Sequence, residues 1–122
     1  MCSSDLELFT EKAWAAVVSA QQLAQQRRQQ QMESEHLFAS LLAQQGLANR
    51  ILEKAGVDVG SLSQKLDAYI AGQPSLSAAP ESIYLGRGLD AVLNRADALK
   101  KEFGDSYIAI EHLLLALADD DR

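Results

Sequence analysis

From Phe9 onward the apolar residues return every three or four positions. Phe9, Ala13, Ala16, Val17, Ala20, Leu23 and Ala24 fall on one stripe of a 3.6-residue helix. The spacing predicts a first helix from about Thr10 to Arg28. Thr10 is its N-cap, Glu11 suits the positive end of the dipole, and Arg27 and Arg28 suit the negative end. Trp14 lies beside the stripe and is expected to flank the core. A second helix is predicted from about Ser34 to Gln45, capped by Ser34, with Leu37, Leu41 and Leu42 on one face and Gly46 ending it. A short third helix covers about Leu47 to Ala55 and closes at Gly56. A fourth starts at Ser61, where Ser-Leu-Ser-Gln reads as a capping box, and carries Leu62, Leu66, Tyr69 and Ile70. Gly72 and Pro74 stop it, and residues 72–82 read as a linker. A further helix from about Leu85 to Phe103 carries the stripe Leu89, Val92, Leu93, Ala96 and Leu99. After a Gly104-Asp105 turn, a last helix runs from about Ile110 to Ala118.

The two halves repeat. Moved along by the interval from Phe9 to Leu85, the chain falls on itself without a gap. Ala13 meets Leu89, Val17 meets Leu93, Ala20 meets Ala96, and Leu23 meets Leu99. Met32 meets Ile108, and Glu35-His36-Leu37 meets Glu111-His112-Leu113. Agreement across a whole helix-loop-helix signals a duplicated unit. The expected fold is therefore all-α, a single domain over residues 1–122 with two tandem repeats related by a pseudo-twofold. Repeat one spans about 9–71 and repeat two about 83–122. Two helices after residue 46 have no counterpart in repeat two, which would need the chain to reach roughly residue 147. The expectation is that repeat two is truncated and leaves apolar surface uncovered.

Composition narrows the function. With 48% hydrophobic and 23% charged residues, a packed core is affordable and disorder is not expected. Only 6% is aromatic, and Ala, Leu and Gln favour helix. A formal net charge of −6 and a pI near 4.8 argue against nucleic acid and anionic membranes as partners. The lone Cys2 cannot form an internal disulfide, no signal peptide or membrane-length apolar stretch is seen, and a cytoplasmic location is expected.

Candidate chemistry is sparse. The only histidines, His36 and His112, each follow a glutamate, but neighbours on a helix point about 100° apart and do not converge. Each is read as a structural histidine near a helix start, bonded to the preceding loop. No HExxH, phosphate-loop, GxGxxG or GxSxG pattern occurs. Gly86-Arg87-Gly88 is read as a flexible helix start, and Asp119-Asp120-Asp121 as caps rather than a cation site. The glutamine-rich run from Gln21 to Gln31 is read as a solvent-facing helix surface. No catalytic residue, metal ligand or cofactor site is assigned, and the fragment is read as a non-enzymatic binding module.

Four stretches resemble a known family: Phe9-Thr10-Glu11-Lys12-Ala13-Trp14, Glu33-Ser34-Glu35-His36-Leu37, Tyr84-Leu85-Gly86-Arg87-Gly88-Leu89-Asp90, and Glu102 through Leu113. Together they resemble the double-repeat N-terminal domain of Clp chaperones over nearly all of residues 6–122. The Tyr84-Leu85-Gly86-Arg87 stretch and the Gly104-Asp105 turn are most similar to the ClpB-type disaggregases. ClpA and ClpC relatives usually carry Gly-Thr-Glu-His where this chain has Glu33-Ser34-Glu35-His36 and Ala109-Ile110-Glu111-His112. The resemblance implies a bundle of about eight helices when complete, six of them here. It implies downstream AAA+ ATPase rings using ATP and magnesium, a coiled coil, and a homohexameric parent active in stress response. It implies capture of unfolded or aggregated polypeptide; the alternative is docking of a folded adaptor to a protease-associated ATPase. Carried over by position, the polar substrate-related residues are Thr10, Asp105 and Glu111, with Tyr84, Leu89 and Leu93 expected toward the floor of an apolar groove. Core packing is the competing role for the last three, helix capping for Thr10, and a first-turn dipole contact for Glu111.

Overall fold

The computed structural model describes residues 8–78, 80 and 83–118. Cys2 and the Asp119-Asp120-Asp121 run lie outside the described residues. Helix α1 is Glu11–Gln26, β1 Gln31–Met32, α2 Ser34–Ala43, α3 Leu47–Lys54 and α4 Val59–Ala71. They are followed by β2 Tyr84–Leu85, α5 Arg87–Glu102 and α6 Ile110–Ala118. The duplication holds in space: α1 and α5 match residue for residue in the repeat register, each packing on the helix that follows it, α2 or α6. Among the described residues no helix is long and apolar enough to cross a membrane.

The stripes become the core. Ala13, Ala16, Val17 and Ala20 of α1 meet Leu37 and Leu41 of α2, Leu89, Val92 and Ala96 of α5, and Leu113 and Leu117 of α6 in one apolar cluster. Burying a Leu or Val side chain stabilises by roughly 1.5–3 kcal/mol each. Alanine at four positions of α1 lets the helices approach closely. Trp14 packs against the edge of this cluster, as its place beside the stripe implies.

Three local expectations are corrected. The N-cap of α2 is Glu33, in extended conformation, and Ser34 is already helical and buried. The reason lies in the cap chemistry: the Glu33 N–H donates to His36 Nδ1 at 2.8 Å. The N-cap of α4 is Asp58, whose Oδ1 accepts from the Ser61 N–H at 3.1 Å, so the helix begins one turn before the serine-led box. Leu85 belongs to a strand, and α5 starts after Gly86. On α4, Leu66 and Ile70 are buried while Tyr69 is 47% exposed.

The two strands were not visible in the hydrophobic pattern. β1 pairs in parallel with β2, Gln31 opposite Tyr84 and Met32 opposite Leu85. A matching isolated bridge joins Phe9 to Ile108. In repeat register these are the same contact made twice, each repeat lending a segment to the other. The Thr10 N–H donates to the Ile108 carbonyl at 2.9 Å, and the Gly86 N–H to the Met32 carbonyl at 3.0 Å. These crossed ribbons clamp the repeats together at the entrances to α1 and α5.

Candidate functional site

The clamp sets up a groove along α5. Its apolar part is Leu8, Phe9, Leu85, Leu93 and Ile108, and the α5 wall adds Asp90, Asn94 and Asp97, around a hollow of about 210 Å³. Leu8 and Leu85 are 41% and 39% exposed, a solvent-facing apolar pair. Helical spacing places Asp90, Leu93, Asn94 and Asp97 on one face of α5. Lys100 and Lys101 reach Asp97 at 2.9 and 3.2 Å. The Lys100 hydrogen bond is the main reason the Asp97 carboxyl lies below the usual carboxylate range; burial opposes it, and the Lys101 hydrogen bond adds to the lowering. Asp90 makes no ion pair among the described residues.

The pseudo-twofold explains why the groove exists on this side. The position of Asp90 in repeat two is that of Trp14 in repeat one. Trp14 lies against Phe9, ring centroids 5.6 Å apart and planes inclined at 50°. An indole fills the α1 side, whereas the short carboxylate leaves the α5 side open.

The six residues expected from sequence divide into two groups. Thr10, Asp105 and Glu111 gather at the turn before α6. Thr10 caps α1 through its Oγ1, which accepts from the Ala13 N–H at 3.2 Å, while its own N–H binds Ile108. Asp105 Oδ2 accepts from His112 Nε2 at 2.9 Å, and Glu111 occupies the first turn of α6. Tyr84, Leu89 and Leu93 gather at the start of α5, with different fates. Tyr84 is 58% exposed beside the groove and Leu93 lines it. Leu89 is 1% exposed and lies wholly in the core. Ile108 links the groups, because it accepts from Thr10 and also lines the groove. Leu8, Leu85, Asp90 and Asn94 were missed. A signal for them was present: a tryptophan beside the core stripe aligned with an aspartate implies a hole in the second repeat.

Both histidines hold helix entrances. His36 Nδ1 accepts from the Glu33 N–H and His112 Nδ1 from the Ala109 N–H, each at 2.8 Å. That fixes the other nitrogen as the donor: His36 Nε2 to Gln29 Oε1 at 2.7 Å, and His112 Nε2 to Asp105. Burial is the main reason the His36 pKa falls below its ordinary value, outweighing the opposing pull of Glu35 and the Glu33 backbone. The histidines thus bond the loop before each helix, as read from sequence. Among the described residues no group of three His, Cys, Asp or Glu side chains could hold a metal ion.

Besides an open dish of about 620 Å³ beside Gln22, Gln25, Gln26 and Arg28, two wider hollows lie elsewhere. One, about 450 Å³, runs between the α1–α2 loop and the linker, walled by Gln30, Gln31, Glu33 and Gln73. The other, about 650 Å³, is open between α1 and α3, beside Lys12, Gln44 and Arg50. Neither contains any of the six residues.

The architecture is a pseudo-twofold helical double repeat with a solvent-facing apolar hollow at the junction of its halves. Residues 8–122 match the Clp repeat (R) N-terminal domain family, and the chain belongs to that family. It is 58% identical over 116 residues to chaperone protein ClpB 1 of Parasynechococcus marenigrum, covering 95% of this chain and 14% of that protein. It is 54% identical over 114 residues to chaperone protein ClpB 2 of Nostoc sp., covering 93% of this chain and 13% of that protein. The chain thus spans about one seventh of the length of these curated relatives. Among solved structures, the Hsp104 N-terminal domain from Candida albicans superposes with a TM-score of 0.85 at 28% identity, covering 92% of this chain and 74% of that one.

Proposed function

We propose that this domain is the polypeptide-engaging N-terminal module of an ATP-dependent disaggregating chaperone. In this reading the α5 groove takes apolar side chains of unfolded or aggregated polypeptide. Leu8, Leu85 and Leu93 supply the apolar contact, and Tyr84 extends it. Thr10, Asp105 and Glu111 form a polar rim across Ile108. Leu89 supports the floor from within the core. ATP and magnesium belong to ATPase rings elsewhere in the parent protein, a cytoplasmic homohexamer. The observation that carries the reading is the unfilled position of Asp90, which leaves an apolar groove open in a domain of the Clp N-terminal family. A shallow site with few polar partners suits weak, sequence-tolerant capture, because little hydrogen-bond geometry has to be matched.

An amide-shift titration of the domain with a permanently unfolded polypeptide tests this. The expected result is saturable shifts at Leu85, Asp90 and Leu93, spreading to Tyr84, Thr10 and Asp105. A folded domain that shows no localised shift at millimolar ligand refutes it. The function would then pass to docking of a folded adaptor, detectable as one stoichiometric partner.

A further inference from the structure

We infer that the groove binds its polypeptide as an added β-strand on the outer edge of β2, and that it favours a segment with a cationic residue two positions from an apolar one. The inference rests on the groove reading above and specifies its chemistry.

The backbone of β2 carries the argument. Tyr84 donates its N–H to the Gln30 carbonyl at 2.7 Å, and Gly86 donates to Met32 at 3.0 Å. In a parallel ladder such bonds fall on alternate residues, so the N–H and C=O of Leu85, between them, point away from β1. No hydrogen bond to either group is found among the described residues. Leu85 is 39% exposed and lines the groove. An edge of this kind is normally blunted by a charge, a proline or a covering element. Here an apolar residue stands on it, next to an apolar hollow.

An extended segment meets both needs together. Its backbone pairs with the outward donor and acceptor of Leu85. Its side chains alternate between faces, so residues i and i+2 point the same way. With an apolar residue i seated against Leu8 and Leu93, residue i+2 continues along the wall of α5. Of the two carboxylates on that wall, Asp97 is occupied by Lys100 and Lys101. Asp90 is exposed and makes no ion pair among the described residues, Arg87 one turn earlier included. A lysine or arginine at i+2 complements Asp90, in a domain whose net charge is already −6.

The test uses a synthetic heptapeptide of threonines with valine third and lysine fifth, titrated into the whole chain and followed by amide shifts. A series N-methylated at one position at a time probes the backbone. Strand addition predicts a loss of about tenfold at alternate positions and little change between them, because only every second N–H faces the edge. Replacing the lysine by glutamate should weaken binding by a similar factor. On the protein, Leu85→Pro removes the outward N–H without touching the Tyr84 and Gly86 bonds, and should weaken binding about tenfold. Leu85→Ala retains that N–H and should lose less. Peptide shifts at Leu85, Asp90 and Leu93 that ignore N-methylation overturn strand addition and leave the groove intact. No shift at these residues overturns both.

Discussion

The two repeats share a backbone but not a filling. At one position Trp14 closes the surface of α1 and Asp90 opens that of α5. At another, Gln29 is 6% exposed and ties His36 to the Ile70 carbonyl at 2.7 Å, whereas the half-exposed Asp105 side chain holds His112. At a third, Ala24 is fully buried where Lys100 bends to reach Asp97. Repeat one has spent these positions on packing against α4 and the core edge. Repeat two places charged groups there instead, Asp90 and Asp105 exposed and Lys100 buried beside Asp97. A duplicated scaffold can therefore divide its labour: one copy supplies stability and the other an accessible surface.

The largest test of that division concerns the histidines. His36→Ala strands the part-buried Glu33 N–H and the buried Gln29 Oε1 and leaves a cavity. Each unpaired buried group costs about 1–3 kcal/mol, so a total near 3–4 kcal/mol is expected in chemical denaturation. His112→Ala strands the Ala109 N–H, but Asp105, with half its side chain exposed, recovers water. It should cost about 1 kcal/mol less. Equal losses would mean that repeat two is as tightly built as repeat one. His36→Asn, whose oxygen can take the place of Nδ1, should recover part of the loss.

A second test exchanges volume across the pseudo-twofold. In the repeat register Thr10 corresponds to Gly86, and the short Ala109 to the long Glu33. A Cβ on Gly86 would collide with the Glu33 carboxylate, lying 2.8 Å from its Cδ and 3.0 Å from the Met32 carbonyl. Gly86→Thr should therefore destabilise by about 2 kcal/mol, as overpacking does. Adding Glu33→Ala recreates the combination of Thr10 and Ala109 and should recover more than half of that. Additive effects in the double-mutant cycle would refute the exchange.

Helices were legible in the sequence because each buries a 3.6-residue stripe, and the repeat was legible because those stripes coincide. The histidine role was legible because adjacent Glu and His cannot converge on a helix. Other features were not. Gln31-Met32 and Tyr84-Leu85 are too short to show alternation, and their pairing exists only once the repeats meet. Leu89 and Leu93 share a stripe, yet one is sealed in the core and the other lines the groove; periodicity gives direction and says nothing of depth. The caps at Glu33 and Asp58 were missed because serine is the more frequent cap, whereas here the neighbouring His36 and Asp58 side chains decide the boundary.

The smallest expected effect runs in the opposite direction. Both α1 and α5 end in a left-handed residue, followed by a backbone bond to the last turn. Gln29 donates to Ala24, and Asp105 donates to Lys100, each at 2.9 Å. Repeat two uses Gly104 there, at φ 74°, while repeat one uses Arg28 at φ 55°. A side chain in that region is disfavoured by roughly 1 kcal/mol, a strain that glycine escapes. Arg28→Gly should thus stabilise the domain by about 0.5–1 kcal/mol. It gives up only an exposed side-chain bond to the Ser77 carbonyl, and the Leu76 N–H keeps its acceptor on residue 28. Gly104→Ala should cost about the same amount, since open space around the glycine leaves backbone strain as the only penalty. If Arg28→Gly destabilises instead, then the arginine's bond to the linker outweighs its backbone strain. The linker would then be part of what makes repeat one the rigid half.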